Sequence, residues 1–360
     1  MSSIRLLVTG GAGFIGSNLV RAALRDAPAV DVRVIDDFST GLERNLVGLD
    51  VEIVRGSILD ERALARAMSG RDAVVHLAAL PSVPRSIADP VSSHAANATG
   101  TLCVLEAARE AGVAHVVVAS SSSVYGANPA LPKSELSWTR PLSPYAVSKL
   151  STEAYALAYQ ESYGLATLAF RFFNVYGPGQ RHDHAYAAVI PRFVRAVLTG
   201  EPVVVHGDGL QSRDFTYVDT VCRILLEASM RSVHHPQPVN LAFGARTDLR
   251  TVLAELERIV GHRVERTFTP ARPGDVRHSQ ADDSRLRELF PDGGGDRRPR
   301  RGVSETRPSR LPAALGGGTV RVSLTPLLGR RSPPPIRLGP RRAQAAPSPT
   351  AAAIGVPGGV

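Results

Sequence analysis

The sequence predicts an α/β protein built on a doubly wound parallel sheet, and three observations carry that prediction. Short apolar runs rich in valine and isoleucine alternate with stretches of helical periodicity up to about residue 290. The first of these runs passes straight into a glycine-rich turn that opens a helix. The runs also lack internal polar alternation, as strands covered by helices on both faces do.

The strand-like runs cover residues 4–8, 32–35, 51–54, 73–77 and 115–119. The clearest helical stretches are 61–68, 91–111 and 144–163. Strands in strict alternation with helices imply parallel βαβ units. The 144–163 helix has a legible start, with Ser143 as N-cap and Pro144 in the first helical position. At about residue 291 this logic stops. Residues 291–360 contain no aromatic, histidine or lysine, and they hold 12 of the 27 prolines and 12 of the 32 glycines. Such a segment buries too little apolar surface to offset the entropy of ordering it, so a disordered tail is expected.

Charge follows the same division. The net +9 lies in the tail, where 12 arginines face three acids, while residues 1–290 carry 30 basic and 30 acidic residues. The arginines are scattered among Pro and Gly without aromatic interleaving, so no nucleic-acid partner is expected. No apolar run reaches the ~18 residues of a membrane span, and no secretory leader is legible. Cys103 and Cys222 lie in helix-like apolar stretches without metal-ligand spacing, which suits a reducing cytoplasm. His182, His184, His234 and His235 read as loop residues, and no metal is expected.

The segment Val8-Thr9-Gly10-Gly11-Ala12-Gly13-Phe14-Ile15-Gly16 follows a strand and opens a helix. Glycines there allow the tight turn, close approach of backbone to a pyrophosphate, and close helix–strand packing. Asp36 lies 20 residues past Gly16, at the end of the next strand. A carboxylate at that place accepts from ribose hydroxyls and repels a 2′-phosphate, which selects NAD over NADP.

Tyr145 and Lys149 are i,i+4 neighbours on one helix face. A free tyrosine, with a pKa of about 10, is a poor base at neutral pH. A nearby ammonium is expected to lower that pKa towards the useful range. The chain has two lysines in all, Lys133 and Lys149. A strand ending in Ser120-Ser121-Ser122-Ser123 brings hydroxyls to the sheet edge where ligands of such folds bind.

TGGAGFIGS (9–17), VIDDFSTG (34–41), VVHLAA (74–79), SSSSVYG (120–126), PYAVSK (144–149) and RFFNVYGP (171–178) together resemble the extended short-chain dehydrogenase/reductases. Within them the chain is most similar to bacterial nucleotide-sugar 4-epimerases of the UDP-glucose/UDP-N-acetylglucosamine type, over about residues 4–290. The resemblance implies a Rossmann-type NAD domain over 1–175, with segments near 210–245 returning to it. It also implies a smaller C-terminal substrate lobe over 176–290, a UDP-sugar ligand and a homodimer. The family continues past Phe290 with a turn and an amphipathic helix, where this chain has its tail. A shifted reading frame in a GC-rich gene would produce that departure.

By resemblance, the phenolate of Tyr145 takes the proton of the sugar 4-hydroxyl while C4 passes hydride to the nicotinamide. Lys149 holds the nicotinamide ribose, and Ser121 shares the proton path. Implied cofactor contacts are Gly10, Gly13, Phe14, Ile15, Gly16, Asp36, Asp37, Ser39, Thr40, Gly41, Ser57, Ile58, Leu77, Ala78, Ala79, Asn97, Ser120 and Phe173, with Tyr145 and Lys149. Implied substrate contacts are Ser82, Val83 and Arg85 in the sugar-side loop, with Ser122 and Asn174. Ala188 and Val189 would meet the uracil, Arg213 and Arg272 the diphosphate, and Asp275 the uridine ribose. Ser279 stands where epimerases restricted to unacetylated sugars often have tyrosine, so room for a 2-N-acetyl group is implied. The related 4,6-dehydratases carry an Asp-Glu pair where this chain has Ser122 and Ser123, which cannot supply the acid and base of an elimination. A glucuronate 4-epimerase or a keto-sugar reductase is the alternative within the same superfamily, and an NAD-binding protein with catalysis impaired by the altered C-terminus is a further one.

Overall fold

The computed structural model describes residues 4–182, 187–271 and 276–291. The expectation of a disordered segment beyond residue 291 lies outside the described residues. The first half of the chain runs β1 (Ile4–Thr9), α1 (Phe14–Asp26), β2 (Val30–Asp36), β3 (Glu52–Arg55), α2 (Glu61–Met68), β4 (Ala73–His76), α3 (Val83–Ala88), α4 (Pro90–His94), α5 (Gly100–Glu110), β5 (His115–Ser121), α6 (Pro144–Tyr163) and β6 (Ala166–Phe172). The second half adds β7 (Val175–Tyr176), α7 (Val189–Thr199), β8 (Val203–His206), β9 (Ser212–Arg213), β10 (Thr216–Tyr217), α8 (Val218–Met230), β11 (Val239–Leu241), β12 (Thr247–Asp248), α9 (Leu249–Val260), β13 (Arg266–Thr269) and α10 (Ser284–Leu289).

Seven strands form one parallel sheet in the order β11-β6-β5-β4-β1-β2-β3. The order reverses direction at β1, where the chain first goes outward to β3 and then returns through β4 to β11. That reversal opens a crevice at the carboxyl ends of β1 and β4, the place where doubly wound sheets bind ligands. All four residues of β4 are buried, because helices cover both faces. Leu19 and Val20 of α1 join Val221 and Leu225 of α8 on one face. Leu64 of α2, Val104 of α5 and Ala156 of α6 cover the other.

Local chemistry sets the element ends. Asp60 caps α2 by accepting from the Arg62 and Ala63 N–H groups at 3.0 and 3.1 Å. Ser143 caps α6 through the Ala146 N–H at 3.2 Å, with Pro144 in the first turn. Gly164 ends that helix at φ 68°, a left-handed conformation that glycine adopts without a Cβ penalty. The continuous helix expected over 91–111 is instead interrupted: a π-helical turn (Ala95–Thr99) separates α4 from α5. One extra residue in that turn aims Asn97 inward, where it is 1% exposed.

A second apolar core gathers Ile190 and Phe193 of α7, Val203 and Val205 of β8, and Leu253 and Leu256 of α9. β8 pairs with β13 in parallel, apart from the main sheet. Two further short pairings, β7 with β10 and β9 with β12, form separate two-stranded sheets. Phe290, fully buried, packs against Phe170 of β6 at 6.0 Å between centroids. The interior also holds an ion pair. The Arg171 fork meets Glu153 through Nη2–Oε1 at 2.7 Å and Nε–Oε2 at 3.0 Å, with side chains 5% and 4% exposed.

Candidate active site

The glycine turn lies against β4's continuation. Gly10 takes φ 71°, and a Cβ there would sit 2.7 Å from the backbone N and Cα of Ala78. A Cβ on Gly16 would fall 2.2 Å from the Gly10 carbonyl oxygen. Gly13 is the N-cap of α1; it supplies no side-chain cap, and the first turn carries no acid. Free N–H groups at a helix start, reached over bare backbone, fit a pyrophosphate. The Asp36 carboxylate is buried and accepts from the Ala12 and Phe38 N–H groups, each at 2.8 Å. Burial pushes its pKa up, against the pull of those two donors. Asp37 turns outward and accepts from the Ser39 N–H at 2.9 Å. Gly41 passes so close that a Cβ would lie 2.9 Å from Asp36 Oδ1. These residues therefore fit NAD, with a carboxylate where a 2′-phosphate would be repelled.

The other expected cofactor residues divide. Phe14, Ile15, Thr40, Ser57, Leu77, Ala78 and Ala79 are half-buried around the crevice, and Ile58 is buried beneath Gly100. Ser120 is committed to the protein itself: its hydroxyl donates to Glu153 Oε2 at 2.8 Å, with the Lys149 carbonyl at 3.2 Å, both on α6. Phe173 is likewise committed to the core, its ring 6.2 Å from that of Tyr125. Only the backbone of either residue is left to face a dinucleotide. Asn97 serves the protein itself, bonding both backbone groups of Leu80.

At the carboxyl end of β5, Ser121 Oγ accepts from the Ser123 N–H at 3.2 Å and lies 2.9 Å from the Ser123 hydroxyl. Ser122 is half-buried beside it. Tyr145 and Lys149 lie one turn apart on α6, which packs against β5. Lys149 Nζ donates to the Ala119 carbonyl at 2.8 Å, and burial lowers its pKa to about 8. The Tyr145 phenol is pushed up by burial, with the Ser121 hydroxyl pulling the other way. The expected lowering of this phenol by Lys149 is thus not what the geometry gives. The ammonium is anchored on the strand carbonyl, and desolvation dominates at the phenol.

Farther along the edge, Asn174, Ala188, Val189 and Arg213 line one cavity of about 240 Å³. Tyr176, Gln180, Arg192, His206 and Gln211 complete its polar lining, and sequence reasoning singled out none of them. They lie in four separate segments, so no local spacing marks them. Asn174 adopts φ 23°, in the left-handed region, and Arg213 Nη1 donates to the Ser212 and Arg277 carbonyls at 2.9 and 3.2 Å. Ser279 pairs through its N–H with the Ser212 carbonyl at 3.0 Å, one residue from Arg213. Ser82, Val83 and Arg85 instead follow β4; Ser82, at φ 107°, caps α3 through the Arg85 N–H. Arg272, Asp275 and His184 lie outside the described residues. Among the described residues no group of three or more His, Cys, Asp or Glu side chains is placed to hold a metal. Nor, among them, is any helix long and apolar enough to cross a membrane.

Three comparisons bear on this arrangement. The model of the NAD dependent epimerase/dehydratase family matches residues 6–242. UDP-glucose 4-epimerase of Mycolicibacterium smegmatis is 38% identical over 293 residues, covering 80% of this chain and 92% of that protein. A UDP-N-acetylglucosamine 4-epimerase from Methanobrevibacter ruminantium, solved with UDP-N-acetylmuramic acid, superposes with a TM-score of 0.76 at 37% identity. It covers 80% of this chain and 92% of its own. The Thermus thermophilus UDP-glucose 4-epimerase solved with NAD gives 0.72 at 37% identity, over 79% and 92% of the two chains. The chain belongs to the NAD dependent epimerase/dehydratase family.

Proposed function

We propose that the protein is a UDP-hexose 4-epimerase, acting on the glucose/galactose pair and on its N-acetylated counterpart through a 4-keto sugar. The observation that carries this reading is the meeting of Ser121, Tyr145 and Lys149 at one strand end, with Ser122 and Ser123 where an elimination needs an acid and a base. Bound NAD supplies a reversible hydride acceptor, which oxidation and re-reduction at one carbon requires. Tyr145 Oη holds or takes the proton of the sugar 4-hydroxyl. Ser121 Oγ shares that proton, and Lys149 supplies the neighbouring cation and a donor for the nicotinamide ribose. Asn174, Ala188, Val189 and Arg213 hold the nucleotide in the 240 Å³ cavity, with Arg213 on the diphosphate. Arg272 and Asp275 are assigned to the diphosphate and the ribose. Ser279 leaves space for a 2-N-acetyl group.

The same reading divides the chain into a nucleotide unit, 1–175 with returning segments near 210–245, and a substrate lobe over 176–290. It assigns the exposed apolar side chains Val91 of α4 and Val147 and Tyr155 of α6 to a homodimer contact. A cytoplasmic setting suits the two free cysteines.

The test is incubation of the purified chain with UDP-glucose and, separately, UDP-N-acetylglucosamine, followed by product analysis and repeated with Tyr145→Phe. The 4-epimers should form with no net change in nicotinamide absorbance, and Tyr145→Phe should abolish them. Stoichiometric NADH consumption, or a dehydrated product, would overturn the reading. Turnover of UDP-glucose while UDP-N-acetylglucosamine neither reacts nor competes would remove the N-acetyl part.

A further inference from the structure

Between the nucleotide turn and the catalytic helix runs a chain of polar side chains sealed from solvent. Thr9, His76, Asn97, Thr101, Ser148 and Thr152 are each 3% exposed or less. Their hydrogen bonds leave one consistent direction for the protons. Thr9 Oγ1 accepts from the Leu77 and Ala78 N–H groups, each at 3.2 Å. A hydroxyl has one proton to give, and that of Thr9 goes to His76 Nδ1 at 2.7 Å. A neutral ring that accepts at Nδ1 carries its proton on Nε2, which faces Thr101 Oγ1 at 3.1 Å. Thr101 in turn donates to the Asn97 carbonyl at 2.5 Å, inside the π-helical turn.

From Asn97 the chain reaches the catalytic helix. Its Nδ2 donates to the Leu80 carbonyl at 3.1 Å and to Ser148 Oγ at 3.0 Å, while its Oδ1 accepts from the Leu80 N–H at 2.7 Å. Ser148 precedes Lys149 directly, and its hydroxyl donates to the Tyr145 carbonyl at 2.8 Å. Burial lowers the His76 pKa to about 3, and the Lys149 charge pushes the same way. Both effects disfavour the protonated ring, so the imidazole is neutral around neutral pH.

We propose that His76 is a positioning residue, a neutral Nε2–H imidazole that fixes the spacing between the loop of residues 77–80 and the helix carrying Tyr145 and Lys149. The loop lies against the glycine turn, with Ala78 facing Gly10, and the helix carries Tyr145 and Lys149. The imidazole thus sets the separation of the nucleotide crevice from the proton-handling groups. The inference rests on the proposed function for its catalytic consequence, but not for the state of the ring.

Two measurements on the full chain test it. In ¹⁵N-histidine spectra, with His76 assigned by its loss in His76→Gln, the Nε2–H tautomer should persist unchanged from about pH 5 to 8.5. An Nδ1–H tautomer, or titration of His76 within that range, overturns the proposal. In turnover assays, His76→Gln and Thr101→Val should lower kcat about 10- to 100-fold, as small misplacements of reacting groups do. The sugar-nucleotide KM should stay within about twofold and NAD should be retained. Thr101→Val keeps the ring and the volume, so it reads the lost bond even if His76→Gln folds poorly. Thermal destabilisation with kcat unchanged would make the network merely structural and sink the idea. A wild-type chain that epimerises nothing would instead count against the proposed function, and the spectra would still decide the ring.

Discussion

Replacing Glu153 by Gln should destabilise the protein severely, and the size of the effect follows from its surroundings. Glu153 accepts from Arg171 twice, at 2.7 and 3.0 Å, and from the Ser120 hydroxyl at 2.8 Å. The guanidinium also lies 4.7 Å over the Tyr125 ring, in a site closed to water. An amide of the same shape removes the counter-charge and turns an NH₂ group towards a cation that can only donate. Leaving one member of a buried pair uncompensated costs about 3–5 kcal/mol. For a chain of this size that corresponds to a fall in Tm of roughly 4–8 °C. Urea unfolding followed by far-UV circular dichroism reads the difference directly. Arg171→Met alone should cost a similar amount, for the converse reason. The double variant Glu153→Met/Arg171→Met removes both charges and should be more stable than either single one. A Glu153→Gln protein within about 1 kcal/mol of wild type, or a double variant showing the sum of the two losses, would refute this reasoning.

Two pH dependences follow as well. With only two lysines in the chain, ¹³C-lysine spectra should show Lys149 titrating near 8, assigned by repeating the titration on Lys133→Arg. An amine whose folded pKa lies below its unfolded value leaves the unfolded chain holding the extra proton, so this group makes stability rise from about pH 8 towards 10. A Lys149→Met variant should lose that rise, and a Lys149 resonance titrating near 10 would contradict the described burial. Asp214, fully buried and accepting from the Ala281 N–H at 3.1 Å, is pushed up to about 6 by burial. A carboxyl raised in the folded state binds a proton that the unfolded chain has released, so stability should fall as pH rises from about 4 to 6. The group contributes about 3 kcal/mol to that fall. Denaturant midpoints across this window should flatten in Asp214→Asn; an unchanged slope would mean that Asp214 is not the group responsible.

What was legible in the sequence was what local spacing encodes. The glycine turn, Asp36 at the next strand end and the Tyr145–Lys149 step each depend on residues within one supersecondary unit, and their backbone positions are as expected. The start of the 144–163 helix, with a capping serine and a proline, is equally local. The π-helical turn at Asn97 was not legible, because helical periodicity is nearly the same on either side of a single inserted residue. β11 escaped because a three-residue strand owes its existence to the hydrogen bonds offered by β6. Ser120 and Phe173 sit at the right strand ends, but their side chains follow partners contributed by α6 and by the 122–125 turn. The pKa direction at Tyr145 was missed for a related reason. Spacing reports that an ammonium is near, whereas the depth of burial and the carbonyl that captures the ammonium are properties of the assembled fold.

The pairing of β11 with β6, Val239 opposite Phe170 and Leu241 opposite Phe172, has a consequence for how such a protein can be rebuilt. The strand that finishes the sheet, and the α8 helix that shields it, come from chain lying beyond the first half of the cavity wall. A fragment ending near residue 175 would therefore have a raw sheet edge and a bare apolar face over Leu19 and Val20. A chimera made by a single crossover at that point must seat a foreign α8 on Leu19 and Val20 and a foreign β11 on β6, and should be less stable than either parent. Grafts that exchange only the intervening stretch between β7 and β9, and leave α8 and β11 in their native frame, keep both coverings intact. Altered sugar choice is accordingly to be sought by swapping inserts within a fixed chassis rather than by joining halves.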